Sequence, residues 1–138
     1  MAGIRTRARG VALQVLYAMD VNEEEARAAL ASAKEHFDVS MNKEGEAFAA
    51  KLVEMAQTNH ANIDEQLQLA SQNWRVERMS TVDRNIMRLA TAELFYDESV
   101  PTRVIINEAI ELAKRFGTAE SASFVNGILD RVATLARG

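Results

Sequence analysis

From Ile4 to Met19 apolar side chains return as Ile4, Ala8, Val11, Ala12, Val15, Leu16 and Met19, a spacing that winds one continuous stripe along a helix. Strand side chains alternate at every residue, so steps of three, four and one cannot share a face of a sheet. The same period recurs downstream without any alternating β-rich run, and one proline and six glycines leave few breaks in 138 residues. The spacing therefore predicts an all-α chain of about seven helices. With 48% hydrophobic residues, it can bury a core without covalent staples.

A second, acidic helix is expected from Glu23 to Phe37, followed by a polar loop at Asp38 to Asn42. A third covers Glu44 to Thr58 with Phe48, Leu52, Val53 and Met55 inside, and a fourth covers Asn62 to Asn73. Ser80-Thr81-Val82-Asp83 fits the capping-box pattern, so a fifth helix starts there, turns Val82, Ile86, Leu89 and Ala90 inward and frays near Asp97. Pro101 suits the first turn of a sixth helix, where its missing N–H costs nothing, and Gly117 suits a left-handed terminating residue. Between them Ile106, Ala109, Ile110, Ala113 and Phe116 are expected to face the core, with Glu111 and Arg115 paired outside. A seventh helix from Ser121 carries Phe124, Val125, Ile128, Leu129, Val132 and Leu135. No internal repeat or low-complexity linker divides the chain.

Several classes of chemistry find no residues here. The chain has no cysteine, which removes disulfides, thiolate catalysis and cysteine-held metals and suits a reducing cytoplasm. His36 and His60 stand far apart without a second ligand at helical spacing and are expected at the surface. No phosphate-binding glycine loop, nucleophile elbow or Glu-x-x-His pair occurs, so neither an enzyme nor a cofactor is expected. Glu108 and Glu111, beside Arg115, are expected to be exposed helix charges. Nothing approaches the roughly 20 apolar residues of a membrane span, and the N-terminus lacks a signal peptide's apolar region, so a soluble, unexported protein is expected.

The formal charge of −4 argues at first against nucleic acid, but its distribution is uneven. Residues 1–19 contain Arg5, Arg7 and Arg9 and no acid, whereas residues 20–72 set four basic residues against eleven acidic ones. Arg5 and Arg9 are like charges four apart near the positive end of a helix dipole, a locally unfavourable arrangement. A solvated basic terminus accounts for it at a cost of tenths of a kcal/mol; a polyanion whose phosphates match the guanidinium forks accounts for it functionally. A second basic group, Arg75, Arg78, Arg84 and Arg88, is diluted by Glu77 and Asp83 and is read as structural. Trp74, the only tryptophan, suits either a buried anchor between two helices or a base-stacking surface beside arginines, with the anchor favoured. Phe124 poses the same choice, and physics alone favours the core. Gly127 costs its helix roughly 1 kcal/mol against alanine, which points to close packing or a closely approaching ligand.

Four segments together resemble the NusB family of transcription antitermination factors. They are the early arginines running into Ala12-Leu13-Gln14-Val15-Leu16-Tyr17, the stretch from Val82 to Ala90, the stretch from Pro101 to Gly117, and Ser121 to Asp130. The resemblance implies two packed helical bundles, with subdomains of about 1–59 and 60–138. It also implies a role beside the ribosomal protein NusE, with which the protein binds the single-stranded boxA element of nascent RNA within the RNA polymerase antitermination complex. On this likeness Arg5, Arg7 and Arg9 match the RNA-binding start of the family, although Thr6 stands where relatives often carry a base. Glu120, Phe124 and Asn126 match the part of the last helix near the RNA, and Tyr17 and Asp83 match positions facing NusE; the ordinary role of Asp83 is a helix cap. Two alternatives accompany this reading: a NusB-like RNA-recognition module of a ribosomal-RNA methyltransferase, and a protein-only module that forms a homodimer.

Overall fold

The computed structural model describes residues 3–22, 28–31 and 42–138. Of the helix expected at Glu23 to Phe37, residues 28–31 are helical; the rest of it, His36 and most of the adjoining loop lie outside the described residues. The elements are α1 (Ile4–Asn22), α2 (Lys43–Thr58), α3 (His60–Ala70), a 3₁₀ turn (Val76–Arg78), α4 (Thr81–Tyr96), α5 (Thr102–Phe116) and α6 (Ser121–Arg137). Among the described residues there is no strand, as the helical periodicity requires. No described helix is long and apolar enough to cross a membrane.

α4 is the axis of the molecule. α1 and α2 pack on each other and on α4, α5 and α6 do the same on its other side, and α3 bridges α4 and α6. Asn85, Ile86, Met87 and every residue from Leu89 to Leu94 are buried, so α4 is enclosed round most of its circumference. Asn85, Thr91 and Glu93 interrupt its apolar pattern, which is why the sequence suggested a single inward stripe.

Local capping follows the sequence in part. Ser80 Oγ accepts from the Asp83 N–H at 3.2 Å, one half of a capping box. The other half is absent: Asp83 Oδ1 is buried without a partner. Pro101 lies one position earlier than expected, as the N-cap, where its carbonyl accepts from the Ile105 N–H. Gly117 is extended, with φ −96° and ψ −164°, not left-handed. It is glycine because the chain doubles back here: a Cβ would stand 2.6 Å from Ser121 Cβ and 2.8 Å from the Ala113 carbonyl oxygen. Ser121 Oγ in turn accepts from the Thr118 N–H at 2.9 Å, closing the turn into α6.

The core face of α5 is rotated slightly from the expected one. Ile105, Ala109, Leu112 and Ala113 are buried, while Ile106, Ile110 and Phe116 lie half-buried at its margin. Glu111 pairs with Lys114 at 3.6 Å instead of Arg115, whose guanidinium lies 4.9 Å from the centre of the Phe116 ring. Leu135, near the end of the last helix, is 47% exposed.

An ionic network ties the C-terminal end of α1 to α3 and α4. Asp20 Oδ2 accepts from Arg84 at 2.8 Å, from Asn85 at 2.9 Å and from Arg88 at 3.1 Å. Arg88 also forks onto Asp64, with both bonds at 2.8 Å. Burial opposes the charge on Asp20, but the bonds from Asn85 and Arg84 and the charges of Arg88 and Arg84 together outweigh it and lower its pKa. Asp97 is lowered too: burial opposes its charge, and Ser99 and Lys51 outweigh that. A depressed carboxyl pKa stabilises the fold above the unfolded value and loses that contribution as pH falls through the folded one. Stability measured in urea is therefore expected to hold near neutral pH and to drop below the ordinary carboxyl value of 3.8. Asp20→Asn should flatten the drop; an equally steep drop in that variant would remove Asp20 from the account.

Candidate nucleic-acid interface

The three early arginines occupy different environments: Arg5 and Arg9 lie on one side of α1 against the same Phe48 ring, Arg9 deeper than Arg5, while Arg7, two residues from each, projects from another side. Arg5 is exposed, its guanidinium 4.6 Å from the centre of the Phe48 ring on α2. Arg7 is half-buried, and its Nε has no hydrogen-bond partner. Neither forms an ion pair among the described residues. Arg9 points into the protein and is 3% exposed. Its Nε and Nη2 donate to the two carboxylate oxygens of Glu93 on α4 at 2.9 and 2.7 Å, and Nη1 lies 3.9 Å from Glu108. The face of Phe48 covers it, 5.2 Å from ring centre to guanidinium. Burial disfavours the charge on Arg9, but Glu93, Glu108 and Asp97 more than compensate and raise its pKa.

Arg9 thus departs from its expected place among open phosphate contacts. In sequence no acid stands near it, whereas in the fold Glu93 takes up its fork. The signal for this pairing was Glu93 itself, a lone acid in the run Leu89 to Leu94, since a carboxylate on a buried helix requires a cation. Thr6 is also engaged, donating to Glu108 Oε1 at 2.6 Å. Glu108 therefore belongs to the α1–α4–α5 junction and is not a free surface charge. Among the described residues no group of three His, Cys, Asp or Glu is placed to hold a metal ion.

A second cluster forms where the segment after α3 meets α6. Phe124 is half-buried, and its ring stands 5.5 Å from that of Trp74 at an interplanar angle of 84°, an edge-to-face pair. Trp74 is 56% exposed, so it is not the buried anchor favoured from the sequence. The backbone that carries it is firmly held. Its N–H donates to the Ser71 carbonyl at 2.6 Å, and its carbonyl accepts from Ser71 Oγ at 3.1 Å and Gln68 Nε2 at 3.0 Å. Glu120 is exposed one turn before Phe124, on the same side of the helix. Asn126 is exposed as well, but two residues beyond Phe124 it projects from nearly the opposite face. Gly127 does not pack closely: a Cβ there would meet nothing within 4 Å. The two groups have different neighbours: Arg5 borders Phe48 on α2, and Phe124 borders Trp74 in the segment following α3.

Tyr17 is 42% exposed on α1, and Asp83 is half-buried at the start of α4. The Asp20–Arg84 bridge joins these two helix ends, so residues distant in sequence share one region. Arg84 and Arg88 are absorbed by the network around Asp20, in keeping with their structural reading, while Arg75 pairs with Glu77 at the surface at 2.9 Å. His60 is exposed and lies 3.6 Å from Asp64.

The NusB family model matches residues 6–134 of this chain. The transcription antitermination protein NusB of Geotalea uraniireducens is 43% identical, over 95% of this chain and 94% of its own length. That of Myxococcus xanthus is 44% identical, over 95% of each. Among solved structures, T. maritima NusB superposes with a TM-score of 0.87 at 36% identity, covering 97% of this chain and 93% of that one. A chain from a complex of the antitermination factors NusB and NusE with double-stranded RNA superposes with a TM-score of 0.89 at 27% identity, covering 98% of this chain and 99% of that one. Agreement in sequence along nearly the whole length, together with the packing of the described helices around α4, identifies the family: the chain belongs to the NusB family.

Proposed function

We propose that this chain is a non-enzymatic adaptor in transcription antitermination that binds boxA-type RNA together with NusE, so that RNA polymerase passes terminators in ribosomal RNA operons. Family membership over residues 6–134 carries the reading. A similar protein of known structure stands in a complex with NusE and RNA. Such a role places the protein in the cytoplasm, where transcription occurs. In this chain Arg5 and Arg7 are the cations on α1 open to RNA phosphates, and Glu120 and Phe124 form a second RNA-facing edge on α6. Asn126 lies on the far side of that helix, beyond the reach of the same nucleotide. Tyr17 and the partnerless Asp83 carboxylate suit the NusE face. Arg9 holds α1 against α4, and Arg5 and Arg7, two residues apart, flank the start of α1 on different sides.

The test is the salt dependence of RNA binding. Each phosphate contact on single-stranded RNA contributes roughly 0.7 to the slope of log affinity against log salt. Replacing Arg5 and Arg7 together with alanine should make the slope for a boxA-type RNA shallower by roughly 1.4. An unchanged slope would show that the RNA lies elsewhere. In gel shifts, the chain with NusE should bind the RNA more tightly than either protein alone.

A further inference from the structure

We propose that Trp74, Phe124, Gly127 and Arg131 form a subsite for one unpaired nucleotide: its base stacks in the aromatic corner, its sugar crosses the bare helix at Gly127 and its phosphate meets Arg131. The proposal rests on the RNA-binding reading above and adds Trp74, Gly127 and Arg131 to it. Its first observation is the aromatic corner. A tryptophan more than half exposed, on a backbone fixed by Ser71 and Gln68, offers a ring face at little cost in ordering, and the perpendicular Phe124 ring forms a second wall. Stacking on such faces tolerates any base, since every base has a π-face.

The second observation is independent of the first. Phe124 and Arg131 lie seven residues apart, on one side of α6 and about 10 Å apart along its axis. Between them, toward the solvent side, stands Gly127, whose missing side chain leaves open space on a helix where glycine is otherwise unfavourable. Arg131 is exposed, and its Nε is tied to the Ala70 carbonyl, leaving both Nη groups without a partner among the described residues. A guanidinium held by one nitrogen and open at two others is preorganised for a phosphate oxygen pair. Ala70 and Trp74 come from the same turn at the end of α3, so a single segment positions both the cation and the aromatic surface.

Trp74 is the only tryptophan in the chain, so its emission reports on this subsite alone. The full chain is titrated with a fluorescently labelled boxA-type RNA, with and without NusE, reading RNA anisotropy for binding and Trp74 emission for stacking. The expected result is quenching that saturates together with the anisotropy. Trp74→Ala should weaken binding about 5- to 150-fold while Trp74→Phe retains most of it. Gly127→Leu should weaken binding although the helix melts no earlier, a combination that a purely structural role for Gly127 would not give. Arg131→Gln should reduce the salt slope by roughly 0.7 with helicity unchanged. Normal anisotropy with unmoved emission, and Trp74→Ala binding like the parent, would overturn the subsite while leaving the RNA-binding reading intact. Absence of RNA binding under both conditions would overturn both.

Discussion

Arg9→Ala is expected to destabilise the fold by about 3 to 5 kcal/mol, and Glu93→Ala by a similar amount, as measured by urea denaturation. Either change leaves a charge buried among apolar side chains with its main partner gone. When Glu93 is removed Arg9 retains no short bond to a carboxylate, with Glu108 at 3.9 Å and Asp97 farther off, and Glu93 loses both of its short bonds when Arg9 is removed. Replacing both with apolar residues of similar volume, Arg9→Met with Glu93→Leu, removes both charges at once and should recover most of the loss. A single-variant loss of less than about 1 kcal/mol would mean that the pair behaves like an exposed ion pair. The double variant also separates stability from RNA binding. Its salt slope should match the parent's, because Arg5 and Arg7 are untouched.

The second large effect concerns two glycines that substitution should move in opposite directions. Gly117→Ala is expected to cost about 1 to 3 kcal/mol, because the new methyl group must displace Ser121 at the first turn of α6 and crowd the Ala113 carbonyl. Gly127→Ala is expected to be neutral or to stabilise by up to about 1 kcal/mol, since its methyl group meets nothing and alanine favours a helix. Thermal melts of the two variants decide the matter. Destabilisation by Gly127→Ala would show a packing role that the open surface around it does not suggest.

How well the fold could be read from the sequence varied with how local its causes were. The α1 stripe and the Ser80 cap depend on residues within a few positions of each other: Ser80 caps where the pattern placed it, and Ala8, Val11, Ala12, Val15 and Leu16 are buried as expected, with Ile4 and Met19 half-buried at the ends. The ends of α5 were legible in position but not in conformation. Gly117 is required by a contact with Ser121, made only once α6 folds back, and no local turn rule conveys that. The face of α5 was read one step off because Ile105, Ile106, Ile110 and Leu112 are all apolar, and only the packing against α4 and α6 selects among them.

Within the candidate site, the composition of the arginine group was visible and its division was not. Arg5, Arg7 and Arg9 look equivalent until α4 brings Glu93 beneath one of them, across 84 positions of sequence. Trp74 was misread for the opposite reason. Large aromatics are usually buried, but here Ser71 and Gln68 fix the chain so that the indole lies outside the core. Phe124 was read as either core or surface, and it is in fact half-buried against Trp74.

The enclosure of α4 also governs how this molecule comes apart. Because α1, α2, α3, α5 and α6 all pack on that one helix, none of these five can detach without uncovering it. Among the described residues α1 and α2 come before residue 59, and the helix they rest on comes after it. Unfolding is therefore expected to be a single cooperative event, with damage at either end felt at the other.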